Sequence, residues 1–200
     1  MSGPPLEGAP DDGTCAAALE ALVAFGRGLG VEVANDEVDP NHARFVGLFE
    51  GHTITLYPRV SSSFARWFTV AHLYGHMVQL SRPTPELARA NALILGQGQP
   101  LAAEDVQLVY DHEREAAEIG HAFAAAAGTV TPALDGPYTR YLFADFRYLI
   151  DVIETGRRGP EHFASFWRRE PTPPERILSD PRPLVDLRVM EPPAGRVFVV

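Results

Sequence analysis

Lysine is absent from this chain: all 17 of its basic residues are arginine. That bias is read as the coding habit of a GC-rich bacterial genome rather than as chemistry. Cysteine is almost absent too. Cys15 stands alone, so no disulfide can form within the chain, which fits a reducing compartment. A single thiol near a helix start invites thoughts of reactivity, but the plainer expectation is a small, half-buried side chain. No apolar run approaches the ~18 residues that read as a membrane helix, and no membrane association is expected. The opening stretch MSGPPLEGAPDDGT has neither the basic start nor the apolar stretch of a secretory signal, so the expected location is cytoplasmic. An excess of positive charge is missing as well: the net charge is −9, a poor basis for gripping phosphate backbones, and direct nucleic-acid binding is not expected.

What remains is ordinary globular material: 200 residues, 46% hydrophobic and 22% charged, enough for one domain with an appendage. Residues 1–13, rich in Gly, Pro and Asp, read as a disordered lead. Thr14 is placed to cap a helix running to Arg27, with Gly28 and Gly30 ending it. VEVA (31–34) is a short strand. RFVGLFE (44–50) and HTITLYP (52–58) read as two more, joined through Gly51 in a tight hairpin. A serine from 61 to 63 caps a helix over 63–80. Thr84 caps the next one, with Pro85 at its first position. Residues 102–127 form the longest helical pattern, stopped by Gly128. Further helices are expected at 138–156 and 160–169. Five prolines between 171 and 183 mark a linker. Beyond it, LVDLRVM and GRVFVV read as two short strands, pairing with each other or with a sheet edge. There is no internal repeat.

The helix over 63–80 carries the chemistry. Ala65, Thr69, His72, His76 and Gln79 recur at steps of four, three, four and three, a narrow stripe on a helix that is otherwise mostly apolar. Such a helix is expected to be buried, so its polar stripe must face a cleft, a metal or a hydrogen-bond network. Histidines at i and i+4 point the same way and can reach one tetrahedral ion. The 102–127 helix offers His112, Glu113, Glu115, Glu118 and His121 as further donors. Glu115 borders the apolar stripe His112, Ala116, Ile119, Phe123. Glu113 lies above Ala117, Gly120 and Ala124, a smooth face suited to close packing. Glu104 and Glu118 read as solvated, with Arg114 and Glu118 a surface pair.

The segment GHTITLYPRVSSSFARWFTVAHLYGHMVQL resembles the core of the ImmA/IrrE family of zinc metallopeptidases, and HEREAAEIGHA is similar to that family's third-ligand helix. The resemblance covers residues 14–128. It implies an α+β fold: a mainly helical, zincin-like metallopeptidase domain with a small N-terminal sheet. On this reading the domain spans 14–170 and the Pro-rich tail 171–200. The resemblance carries the metal ligands onto His72, His76 and Glu115, with His112 and Glu113 as alternates, and implies zinc as cofactor. Thr69 and Gln79 would line the cleft. It further implies a partner among regulatory proteins, such as a DNA-binding repressor.

The departure falls at the general base. Where H-E-x-x-H has glutamate, this chain has Leu73. Tyr74 is no substitute, because a phenol titrates near ~10 and its position is about 200° round the helix from His72. Glu113 is the candidate replacement base. The leading expectation is therefore a catalytically impaired, metallopeptidase-like protein with a regulatory or protein-binding role that can keep its metal. Two alternatives stand beside it: an active peptidase with a base from elsewhere, and a domain whose histidines belong only to its core.

Overall fold

A helix apolar on nearly every side organises the computed structural model, in which residues 6–36, 46–57, 62–96, 100–169, 184–189 and 196–199 are described. That helix, labelled α2, spans Ser63–Leu80, and from Phe64 to Gln79 every residue but Arg66 is buried. Helix α1 (Asp12–Gly28) and helix α4 (Ala103–Ala126) pack against it. Helix α3 (Pro85–Leu95) lies along α4. Helix α5 (Pro132–Thr155) follows α4, and α6 (Pro160–Arg169) packs on α5. Four short strands form one sheet in the order β1-β3-β2-β4: β1 Glu32–Asn35, β2 Gly47–Glu50, β3 Thr53–Leu56 and β4 Arg196–Val199. β1 runs parallel to β3. β2 and β3 make the expected hairpin around Gly51, whose φ of 61° suits a residue without a Cβ. The fold is α+β and mainly helical. Among the described residues no helix is long and apolar enough to cross a membrane.

Local chemistry explains most boundaries. Ser62 caps α2 by accepting from the Ala65 N–H at 3.2 Å, and Thr84 caps α3 through the Leu87 N–H at 3.2 Å. Helices α2 and α4 meet through glycine. A Cβ on Gly75 would overlap the backbone of Ala116, and one on Gly120 the backbone of Ala71. The pairs 71–120 and 75–116 make the two helices antiparallel. Tyr138 on α5 braces the same junction by donating to the Ala117 carbonyl at 2.9 Å.

Four expectations are corrected. Residues 6–13 are ordered rather than part of a disordered lead. Asp11, not Thr14, caps α1, accepting from the Thr14 N–H at 2.9 Å, while the Glu7 carbonyl takes the Trp167 indole N–H at 2.8 Å. Residues 1–5 lie outside the described residues. α5 starts at Pro132 rather than at 138, because proline at a first helical position costs no hydrogen bond and buried Leu134 anchors that first turn. LVDLRVM is not a strand. Its Leu187–Val189 portion is a 3₁₀ turn, with Leu187 buried and its N–H given to the Leu29 carbonyl at 2.9 Å. GRVFVV supplies β4, which adds antiparallel to the edge of β2 rather than pairing with LVDLRVM. The linker at 171–183 lies outside the described residues. Cys15 is fully buried, and burial, with Asp11 and Asp12 nearby, pushes its thiol up to about 11, which makes it inert at neutral pH.

Candidate metal centre

His72 and His76 project from one face of α2, and their Nε2 atoms lie 3.0 Å apart. Across the glycine-mediated contact, α4 presents Glu113. Its Oε2 sits 2.9 Å from His72 Nε2 and 3.4 Å from His76 Nε2. The three residues are buried, with donor atoms all within 4.8 Å of one another. Ligands 2.0–2.1 Å from a tetrahedral centre are separated by roughly 3.3 Å. The observed edges of this triangle bracket that value.

The hydrogen bonds around the triangle fix where its protons are. Gln79 donates its amide to the His112 carbonyl and to Glu115 Oε2, both at 2.9 Å. Its Oε1 must then be the atom 3.0 Å from His76 Nδ1, so Nδ1 carries a proton and Nε2 is the nitrogen that faces inward. His72 Nδ1 is buried with no hydrogen-bond partner, which leaves Nε2 as that ring's only engaged nitrogen. Two imidazoles and a carboxylate thus converge on one buried point. A cation satisfies all three at once. Gln79 meanwhile does for His76 what outer-shell partners do for metal-bound histidines, holding tautomer and ring orientation.

The protonation states fit metal binding. Burial pushes His72 down, helped by the neighbouring His76 and against the pull of Glu113, so the ring is neutral at neutral pH. Burial alone would raise the Glu113 carboxyl, but the two imidazoles outweigh it and hold it well below the usual range. A neutral His72 beside an ionised Glu113 gives two donors of the kind a divalent transition metal takes. Phe68 stacks on His72 with centroids 5.2 Å apart, and Tyr141 lies against Phe68 at 4.3 Å, so aromatic rings wall one side.

The third donor differs from the one implied by the resemblance. Glu113, not Glu115, joins the histidines. The contact line between the helices runs through Ala116 and Gly120, and Glu113 and His112 flank it closely, whereas Glu115 stands further round and meets the Gln79 amide instead. Thr69 does not line a cleft. Its hydroxyl donates back to the Ala65 carbonyl at 2.8 Å and its methyl lies directly beneath Gly47 of β2. Gln79 is buried within the hydrogen-bond network. Leu73 is fully buried in the apolar core. Tyr74 points away from the centre, as expected: its hydroxyl exchanges hydrogen bonds with the Val185 backbone, and burial pushes it up to about 12. His121 pairs with Asp135 at 3.0 Å, and Arg114 with Glu118 at 2.9 Å.

Sequence reasoning missed Asp145. It is buried on α5, and burial, then the charge of Glu113, raise its carboxyl well above the usual range. The signal was present: Tyr138, Tyr141, Asp145, Tyr148 and Val152 recur at steps of three and four, and one member of that core-facing stripe is acidic. His112, named only as an alternate, is also buried against the centre, and burial followed by His76 pushes it down to about 4.

No family model matches this chain, and no curated protein or solved structure matches it either.

Proposed function

We propose that the chain is a catalytically impaired, zincin-like protein of the ImmA/IrrE type that holds a metal ion, zinc by its donor set, at His72, His76 and Glu113. It acts in the cytoplasm by binding a regulatory protein, a DNA-binding repressor being the kind of partner that resemblance implies. The observation that carries the metal is the convergence of three side chains, one of them fixed by Gln79, on a single buried point. The impairment rests on Leu73. A zinc ion there would lower the pKa of bound water and polarise a carbonyl. The protein must still supply the base, and its loss commonly costs 10²–10⁴-fold. Glu113 is occupied by two imidazoles, and Tyr74 is tied to Val185.

Metal analysis of tag-free protein tests the site. About one equivalent of zinc is expected in the wild-type chain, lost in His72→Ala and in Glu113→Gln. Equal metal in all three proteins would overturn the assignment. Incubation of the zinc-loaded chain with denatured casein is expected to give no cleavage above a zinc-stripped control. Asp145 is the observation that favours the other reading, an enzyme with a displaced base. Robust cleavage that Asp145→Asn abolishes would establish it.

A further inference from the structure

His112 is the most poorly satisfied polar side chain among the described residues. Its side chain is 3% exposed, and neither ring nitrogen has a hydrogen-bond partner. A buried polar atom left unpaired costs roughly 1–3 kcal/mol, so an imidazole with both nitrogens orphaned calls for an explanation. The ring lies against the centre just described. Its centroid is 4.8 Å from that of His76, and its Nε2 is 4.0 Å from Glu113 Oε1, the oxygen that does not face His72. Its backbone is held in place as well, since the His112 carbonyl takes the amide of Gln79, the side chain that orients His76.

We propose that His112, which stands just outside the three donors that lie within 4.8 Å of one another, turns inward on metal binding to supply a fourth protein donor and closes the centre into a three-histidine, one-carboxylate site. The proposal rests on His72, His76 and Glu113 holding the metal. Its consequence is chemical. A catalytic zinc site keeps one position for water or substrate, whereas a site with four protein donors is structural. With His112 in the fourth position there is no water to activate, and a base at 73 has nothing to deprotonate. The leucine and the extra histidine then become two aspects of one change, from hydrolysis to metal-dependent folding of the α2–α4 pair.

Cobalt(II) replacing zinc in the full-length chain tests this through its visible spectrum. The wild-type protein is expected to bind one equivalent with the intense bands of a tetrahedral ion, unchanged by added azide. His112→Phe keeps a ring of similar bulk without a donor. It is expected to bind cobalt at least about a hundredfold more weakly and to acquire an azide-sensitive spectrum. A wild-type spectrum that shifts with azide, or wild-type affinity in His112→Phe, would overturn the fourth ligand while leaving the metal site standing. A wild-type chain that takes up neither cobalt nor zinc removes both. Should His112→Phe fail to fold, X-ray absorption at the zinc edge of the wild-type protein decides the matter: three imidazoles support the proposal and two refute it.

Discussion

Gln79 shows how much one amide can determine. It spans from His76 on its own helix to His112 and Glu115 on the next, and it sets which nitrogen of His76 faces inward. Gln79→Leu keeps the volume and removes that control. Its expected cost is about 10–100-fold in zinc affinity, read by competition with a chromophoric chelator, with helix content unchanged. Asp145 makes a different prediction. Its folded carboxyl titrates above the ordinary 3.8, so the stability it contributes is complete below that value and is lost as pH rises through the raised one. Asp145→Asn is therefore expected to raise the melting temperature of the metal-free protein at pH 7–8 by a few degrees, roughly, and to have little effect near pH 4. At this scale the sequence was partly legible. The histidine pair and the small-residue face under Glu113 were both visible. The family pattern pulled the third ligand to Glu115, because a motif fixes residue types more tightly than it fixes the line along which two helices touch.

Between elements, the decisive feature is that line of contact. Gly75 and Gly120 let the two backbones meet, and only at that spacing does Glu113 reach both imidazoles. Gly75→Ala places a methyl group onto the Ala116 carbonyl, backbone that cannot rotate aside. The expected cost is about 3 kcal/mol or more in urea unfolding, together with loss of stoichiometric metal. Helix starts were legible where a hydroxyl caps them, as at Ser62 and Thr84. The start at Pro132 was not, since Thr131 before it makes no capping hydrogen bond and Pro137 reads as a break in the helical pattern. LVDLRVM looked like a strand because it is apolar. What it does depends on the Leu29 carbonyl and on the Tyr74 hydroxyl, neither of which its own residues reveal.

For the molecule as a whole, the described C-terminal residues, 184–189 and 196–199, pack on the helices and the sheet. The Tyr74 hydroxyl donates to the Val185 carbonyl at 2.9 Å and accepts from its N–H at 3.0 Å, joining the central helix to a segment 111 positions away. Tyr74→Phe leaves both backbone groups without that partner, at a cost of about 1–3 kcal/mol. Hydrogen exchange should quicken at 184–189 while α2 and α4 stay protected. The last strand then seals the edge of β2.

That seal has a timetable. β4 follows β2 by about 150 residues, and at ~5–20 residues per second a ribosome needs roughly 7–30 s to cover the interval. During that time the outer edge of β2 is an unpaired row of backbone groups, able to recruit a strand from any neighbouring chain. A message cut short anywhere in the final stretch would yield a protein with His72, His76, Glu113 and most of its core in place and that edge permanently open. For this fold, aggregation of incomplete products is the hazard that translation has to outrun.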